Sequence, residues 1–318
     1  GDGAKVENAT LHCWKHGGHG KETFLEVVEN SCNPGFVVLG QRLGKTTLFD
    51  YIKKFGFGSK TGIDLNGEST GILFDMKIVG PVELATTAFG QGVSVTPLQQ
   101  VTAVSAAING GILYKPYIVK SINEPETNTV IKENKKTIIR KVISEKTSEK
   151  VRYALESVVT NGTGRNAFID GYRVGGKTGT AQKVQDGHYM VGNYIVSFMG
   201  FMPANDPEIV AYVAIDNAKG ITQYGGTIAA PIVRSILLDA IDILNIKKPD
   251  GASEKNYNYL DRKYATVPDV TGKSLKEAMS ELKPFKVEYS GTGDTVFYQT
   301  PSKGTRIYEG EIVKLMLK

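Results

Sequence analysis

The chain has 318 residues, 41% hydrophobic and 22% charged, which is enough for about two domains with a sizeable core. It contains no signal peptide and no apolar run of the roughly 18 residues that a membrane helix needs. Its 38 basic and 33 acidic residues leave a net charge of +5, and the basic ones are spread out; even residues 132–150 lack the clustered stripe with interleaved aromatics that nucleic acid requires.

The first segment is rich in metal-binding side chains. His12, His16 and His19, three of the four histidines, lie between residues 8 and 34 with both cysteines, Cys13 and Cys32. Thr23 with Glu26 three residues on reads as a capping box, and Phe24, Val27 and Val28 follow helical spacing. Ser31-Cys32-Asn33 then falls at or just beyond the end of that helix, and Pro34 disfavours helix through residue 33. Residues 36–55 read as one amphipathic stretch, with Phe36, Leu39, Leu43, Leu48, Tyr51 and Ile52 on buried faces. Lys60-Thr61-Gly62 sits in a turn-rich loop. Thr96-Pro97 opens a helix that Asn109-Gly110-Gly111 closes.

Residues 114–146 alternate apolar and polar and predict a strand-rich excursion. Residues 148–159 predict a helix that ends at Asn161-Gly162-Thr163-Gly164. The β-prone Tyr172-Arg173-Val174 leads into Gly175-Gly176-Lys177-Thr178-Gly179-Thr180-Ala181-Gln182. A loop over 184–188, with His188 alone in it, separates this from strands at 194–201 and 209–216; a closing helix covers 229–246, apolar at Ile232, Val233, Ile236, Leu237, Ala240, Ile241 and Leu244. The polar stretch 247–263 marks a domain boundary. Residues 264–318 form a compact module: a capping box at Ser274 and Glu277, an apolar stripe of Leu275, Ala278, Met279 and Leu282, a stop at Pro284, and strands at 286–289, 296–299 and 311–317.

Lys177-Thr178-Gly179 differs from the earlier triplet in its setting. On the edge of a strand, the small residues let a substrate backbone approach, the lysine supplies positive charge and the threonine hydroxyls can hold a carboxylate. The order of blocks is specific: Gly17-Gly18-His19-Gly20, Ser31-Cys32-Asn33-Pro34, Phe55-Gly56-Phe57-Gly58, Gly62-Ile63-Asp64-Leu65, Ala88 to Gln99, and Gly175 to Gln182. Together these resemble the transpeptidase domain of class B penicillin-binding proteins over about residues 8–246, and residues 264–318 resemble one PASTA module.

The resemblance implies an α/β fold of the α+β kind: an antiparallel sheet covered by helices, with the site between its edge strand and a helical part, plus a small α+β PASTA module. It implies domains at 1–246 and 264–318 joined by a linker at 247–263. It also implies serine acyl-transfer on peptidoglycan stem peptides, with β-lactams acylating the same serine. A role in sporulation (cortex synthesis) is expected, with a division role as the other candidate. The parent protein would work on the extracytoplasmic face of the cell membrane, possibly that of the forespore, held by an N-terminal anchor, with a glycan polymerase and septal or spore-envelope proteins as partners.

By the same resemblance, Ser31 relays a proton or orients a lysine, and Asn33 holds that lysine or the substrate amide. Lys177 stabilises the substrate carboxylate and tunes Ser31, and Thr178 and Thr180 offer their hydroxyls to that carboxylate. The Thr180 N–H forms half of an oxyanion hole, and Gly179 permits close approach. One element of the family pattern is missing. The only Ser-x-x-Lys is Ser280-Glu281-Leu282-Lys283, inside the predicted PASTA helix, where Ser280 faces away from the apolar stripe. The nucleophile is therefore expected upstream of Gly1, and this chain alone is expected to form no acyl-enzyme. A fragment that only binds peptidoglycan or a partner is the alternative.

The residues themselves raise a separate expectation. Cys13, His16, His19 and Cys32 offer ligands enough for a structural tetrahedral zinc, ranked Cys13, Cys32 and His19 first, then His16, with His12, the neighbour of Cys13, behind them. A Cys13–Cys32 disulfide or two free thiols are the other readings. A zinc here would fix the Ser31 loop and leave the acyl-transfer chemistry without need of a cofactor.

Overall fold

The structure, a computed structural model, describes residues 3–249 and 264–318. The boundary predicted at 247–263 therefore falls largely outside the described residues. The chain opens on an antiparallel ribbon, β1 (Gly3–Val6) with β2 (Ala9–His12). Helix α1 (Phe24–Glu29) follows, and its predicted capping box is formed: Thr23 accepts from the Glu26 N–H, and the Glu26 carboxylate accepts from the Thr23 N–H. Helix α2 (Asn33–Leu43) starts one residue earlier than Pro34 led us to expect, because a proline in the first turn gives up only an N–H that has no partner there.

The amphipathic stretch 36–55 is two helices. Gly44, at φ 75°, ends α2 and α3 (Lys45–Lys54) begins beside it. The break resets the helical phase, so Val37 and Phe49 are buried while Leu43 and Tyr51, expected inside, are exposed. Helix α4 (Pro81–Ala88) crosses α2 closely at Gly40, where a Cβ would lie 2.4 Å from that of Ala88. Helix α5 (Pro97–Ile108) carries the predicted cap at Thr96. Its Gln99, buried, donates to Ser59 O (2.8 Å) and Thr70 O (2.9 Å), which pins the loop that holds the first Lys-Thr-Gly.

The excursion is strand-rich as predicted: β3 (Ile112–Lys115), β4 (Ser121–Asn123), β5 (Val130–Glu133) and β6 (Thr137–Lys141) pair as two ribbons, β3 with β6 and β4 with β5. Helix α6 (Glu145–Thr160) starts earlier than expected, capped by Ser144; Ser148 is instead buried and donates to Ala107 O at 2.7 Å. After a short 3-10 turn at Arg165–Ala167 comes the central sheet, antiparallel and ordered β7 (Gly175–Gln185), β8 (His188–Met202), β9 (Ile209–Asp216).

Tyr172-Arg173-Val174 stay outside β7; Arg173 instead pairs with Glu156 of α6 at 2.6 Å. The loop expected over 184–188 is a two-residue reversal. Asp186 (φ 51°) and Gly187 (φ 77°) turn the hairpin, and His188 is the first residue of β8. Helix α7 (Gly225–Ile243) lies across the sheet. It approaches the sheet closely over Gly200 of β8, where a Cβ would meet Val233 at 2.6 Å. It starts four residues before the expected 229, and Ile232, Ile236 and Leu244, expected to be buried, are exposed.

The C-terminal module comprises β10 (Tyr264–Thr266), α8 (Leu275–Glu281), β11 (Lys286–Ser290), β12 (Val296–Thr300), β13 (Arg306–Tyr308) and β14 (Ile312–Leu317). A sheet ordered β11-β14-β12 packs beside the ribbon β10–β13. Ala278 and Leu282 of the predicted stripe are buried, but Met279 is exposed. The module shares one core with α7: Leu237 and Ile241 cluster with Val267, Val313 and Leu315. Arg234, only 3% exposed, holds the junction. Its Nε donates to Phe168 O at 2.7 Å, its Nη1 pairs with the Glu311 carboxylate, and its guanidinium lies 5.1 Å from the Tyr308 ring centre. Arg306–Asp170 (3.0 Å) and Lys314–Asp239 (3.1 Å) flank it.

Candidate active site

The site forms where the end of α1 meets β7. Thr23 and Glu26 fix the start of α1, so the helix ends at Asn30, and Ser31 follows with φ 52°. A serine in the left-handed region is uncommon. Here it places Oγ within 2.7 Å of Lys177 Nζ, which donates to it. Lys177 Nζ also reaches Thr178 O (3.2 Å) and Thr178 Oγ1 (3.4 Å). Burial pushes the Lys177 pKa down from 10.5 to about 8. The lysine thus still carries its charge at neutral pH, but can release it far more readily than a surface lysine. Ser31 accepts from the ammonium, so its own proton remains available to donate.

β7 is an edge strand, with β8 on one side only. Gly179 lets β7 lie close against β8, since a Cβ there would lie 2.4 Å from Ser197 Oγ and displace that hydroxyl. Thr180 is exposed and its Oγ1 accepts from the Gly225 N–H at 3.3 Å, which leaves its hydroxyl proton free to donate outward. Thr178 faces inward, with its Oγ1 3.1 Å from Thr163 Oγ1. The Asn33 amide donates to His12 O at 3.1 Å and ties the start of α2 to β2.

Residue alternation sends Cys32 the other way from Ser31. Its sulfur joins Cys13 and His19, with the three ligand atoms all within 4.8 Å of one another and Cys13 Sγ 3.2 Å from His19 Nδ1. Tetrahedral zinc with Zn–S of about 2.3 Å and Zn–N of about 2.0 Å sets its ligand atoms roughly 3.5 Å apart, so this donor set fits. His16 does not join it: with Gly17 and Gly18 at positive φ, the chain turns between His16 and His19, and His16 is exposed and outside the cluster. The two cysteines are not bridged to each other. Burial, a hydrogen bond with Glu22 and the neighbouring Cys13 push the Cys32 thiol up to about 12. Trp14 braces the segment: its Nε1 donates to Asn30 O at 2.8 Å, and its ring lies 5.4 Å from that of His19 and 5.8 Å from that of Tyr224.

Three residues at the site were not singled out by sequence. Glu22 beside Cys32 looks like any surface glutamate. Glu29 and Thr163 touch through backbone and hydroxyl, and the only signal was the Gly162-Thr163-Gly164 pattern, which read as a helix stop.

The description "Penicillin binding protein transpeptidase domain" matches residues 1–238, and "PASTA domain" matches residues 265–318. The chain belongs to the penicillin-binding-protein transpeptidases. It is similar to stage V sporulation protein D of Bacillus subtilis (strain 168), at 58% identity over 314 residues, 99% of this chain and 49% of that protein. Penicillin-binding protein PbpB of Mycobacterium tuberculosis is 33% identical over 243 residues, 73% of this chain and 35% of that protein. Among solved structures, penicillin binding protein 3 of Mycobacterium tuberculosis complexed with ampicillin superposes with a TM-score of 0.71 at 30% identity, over 80% of this chain and 58% of that one. Penicillin Binding Protein 2X of Streptococcus thermophilus covers 100% of this chain and 48% of its own, with a TM-score of 0.69 at 25% identity. The chain thus spans half or less of the length of these curated relatives. These neighbours share its mix of helices and antiparallel sheet.

Proposed function

We propose that this chain forms most of the catalytic domain of a peptidoglycan D,D-transpeptidase that acts in spore cortex synthesis. The observation that carries this reading is the 2.7 Å bond from Lys177 Nζ to Ser31 Oγ beside an open edge strand. In the reaction, a serine hydroxyl from a segment preceding Gly1 attacks the carbonyl of the penultimate D-Ala of a stem peptide. The new C–O bond forms, the C–N bond breaks, and the terminal D-Ala leaves as an amine. Ser31, hydrogen-bonded to the Lys177 ammonium, takes up the proton that the attacking serine gives up and hands its own to that amine, so the relay ends as it began. Thr180 N–H faces the developing oxyanion, and the Thr180 hydroxyl with the Lys177 charge holds the terminal carboxylate. An amine of a neighbouring stem then takes the acyl group and regenerates the serine.

The parent protein would sit on the outer face of the membrane, anchored by a segment beyond this chain and working beside a glycan polymerase. No helix among the described residues is long and apolar enough to cross a membrane. The intact mass of the natural longer protein before and after penicillin tests this function. A gain of one β-lactam supports it; no gain favours a binding role for the Lys177 groove.

We also propose that Cys13, His19 and Cys32 hold a structural zinc, which would tie the loop between β2 and α1 to the start of α2. Elemental analysis of the purified protein is expected to give about one zinc per chain, lost in Cys32→Ser. A metal-free protein with no titratable thiol would instead establish the disulfide.

A further inference from the structure

Ser31 and Lys177 are held together by more than their own contact. Glu29, two residues before Ser31, accepts two hydrogen bonds at its carbonyl from Thr163: one from the N–H at 2.9 Å and one from Oγ1 at 3.2 Å. Thr163 Oγ1 is 3.1 Å from Thr178 Oγ1, and Thr178 Oγ1 is 3.4 Å from Lys177 Nζ. These contacts, with Ser31 Oγ on Lys177 Nζ, close a ring: Ser31, Lys177, Thr178, Thr163, Glu29, and back to Ser31 through the backbone of Asn30.

Each hydroxyl in the ring has one proton, which decides its polarity. If the Thr163 proton goes to the Glu29 carbonyl, the Thr178 proton goes to Thr163, and the Thr178 oxygen presents lone pairs to the Lys177 ammonium. Every bond is then made. The reverse order leaves the Thr163 Oγ1–Glu29 O contact without a proton, though the N–H bond stays, and gives the Thr178 hydrogen no partner in the ring.

The surroundings leave Thr163 little freedom. A Cβ on Gly162 would come within 2.3 Å of Glu29 O, and one on Gly226 within 2.3 Å of Thr163 O. Asn166 Nδ2 donates to Gly226 O at 2.7 Å from the far side. Glu29 is itself held, since Ser157 Oγ donates to its carboxylate and Asn161 Nδ2 donates to Ser157 Oγ at 3.1 Å.

We infer that Thr163 is a positioning residue of this site: its hydroxyl, bound to Glu29 O, takes the Thr178 proton, fixes Thr178 as an acceptor for Lys177, and locks the end of α1 to β7. As a positioning role in acyl-transfer, this rests on the transpeptidase reading; as a statement about Lys177, it does not.

The test compares Thr163→Val, which keeps the shape and loses the hydroxyl, with Thr163→Ser, which keeps the hydroxyl. Trace acetylation with acetic anhydride across pH, read at Lys177 by peptide mass spectrometry, reports the titration of its amine. In the valine variant the freed Thr178 proton turns toward the neutral amine and stabilises it, so the Lys177 midpoint falls below that of the wild type. The serine variant titrates as the wild type does. A midpoint in Thr163→Val that matches or exceeds the wild type, with an unchanged melting temperature, overturns the proposal. In the longer protein, β-lactam acylation is expected to slow about tenfold in the valine variant, the worth of one hydrogen bond, and to recover in the serine variant. A wild type that takes up no β-lactam would sink the transpeptidase reading while the Lys177 titration still decides the role of Thr163.

Discussion

The chain contains Lys-Thr-Gly twice, and the two copies fold to opposite ends. In the loop, the N–H and Oγ1 of Thr61 donate to one carboxylate oxygen of Glu68 at 2.8 and 2.6 Å, and the Gly62 N–H donates to the other at 2.9 Å. That triplet is already a carboxylate receptor, and its own chain fills it. In β7, the triplet lies on a sheet edge, its half-buried lysine donates to Ser31, and the hydroxyl proton of Thr180 just beyond it is free. The same three residues therefore make a structural knot in one place and a receptive groove in the other. What distinguishes them is which donors remain unspent.

The largest effect should come from exchanging the lysines for alanine. In the longer protein, Lys177→Ala removes the charge that orients Ser31 and draws the substrate carboxylate. Acylation by penicillin is expected to fall by about a hundred- to a thousandfold, the usual cost of one electrostatic contact to the reacting centre. Lys60→Ala should leave acylation unchanged. Equal losses in the two variants would erase the distinction drawn between the triplets.

The second difference is in pH. The Lys177 pKa is pushed down by burial from 10.5 to about 8. Between those values the unfolded chain holds a proton that the folded chain has released, so stability rises with pH through that window; below about 8 both states carry it and the slope vanishes. Keeping this half-buried ammonium charged at neutral pH therefore costs stability, roughly 3 kcal/mol at most. Lys177→Met should remove the slope and raise the urea midpoint at pH 7. Glu68 runs the opposite way. Its burial would raise its pKa, but the hydrogen bonds from Thr61 and Gly62 outweigh this and hold it below 4.5. Its contribution is complete above 4.5 and is lost as pH falls through the lower, folded value. A urea midpoint for Lys177→Met that tracks the wild type from pH 7 to 10 would mean that the lysine is not desolvated.

The sequence showed elements whose signals are local. The caps at Thr23, Thr96 and Ser274 hold because a hydroxyl and a side-chain acceptor three residues on satisfy each other without outside help. Ser31 and Lys177 were legible through the order of blocks that resembles the family, and Cys32 through the short segment it shares with Cys13 and the histidines. The sequence missed what depends on distant pieces meeting. Gly44 reads as an ordinary helical glycine until its positive φ splits the predicted stretch. His16 looks equivalent to His19 until the glycines between them turn the chain. Thr163 becomes visible only when Glu29 and Thr178, from opposite sides of the site, arrive at its hydroxyl.

The smallest predicted effect sharpens the same comparison from the loop's side. Glu68→Gln keeps the size of the side chain and one acceptor oxygen, but replaces the other with an NH2 that cannot accept. Either Thr61 or Gly62 must then give up its bond. The site is near the surface, so water takes up much of the loss, and a decrease of about 1 kcal/mol in unfolding free energy is expected. Gln99, which anchors the same loop from α5, should limit the damage to the loop itself. Thermal denaturation reads the first quantity and penicillin acylation of the longer protein reads the second, which should not move. If Glu68→Gln slowed acylation as well, the loop triplet would be coupled to the groove, and the two copies of Lys-Thr-Gly would have to be treated as parts of one site.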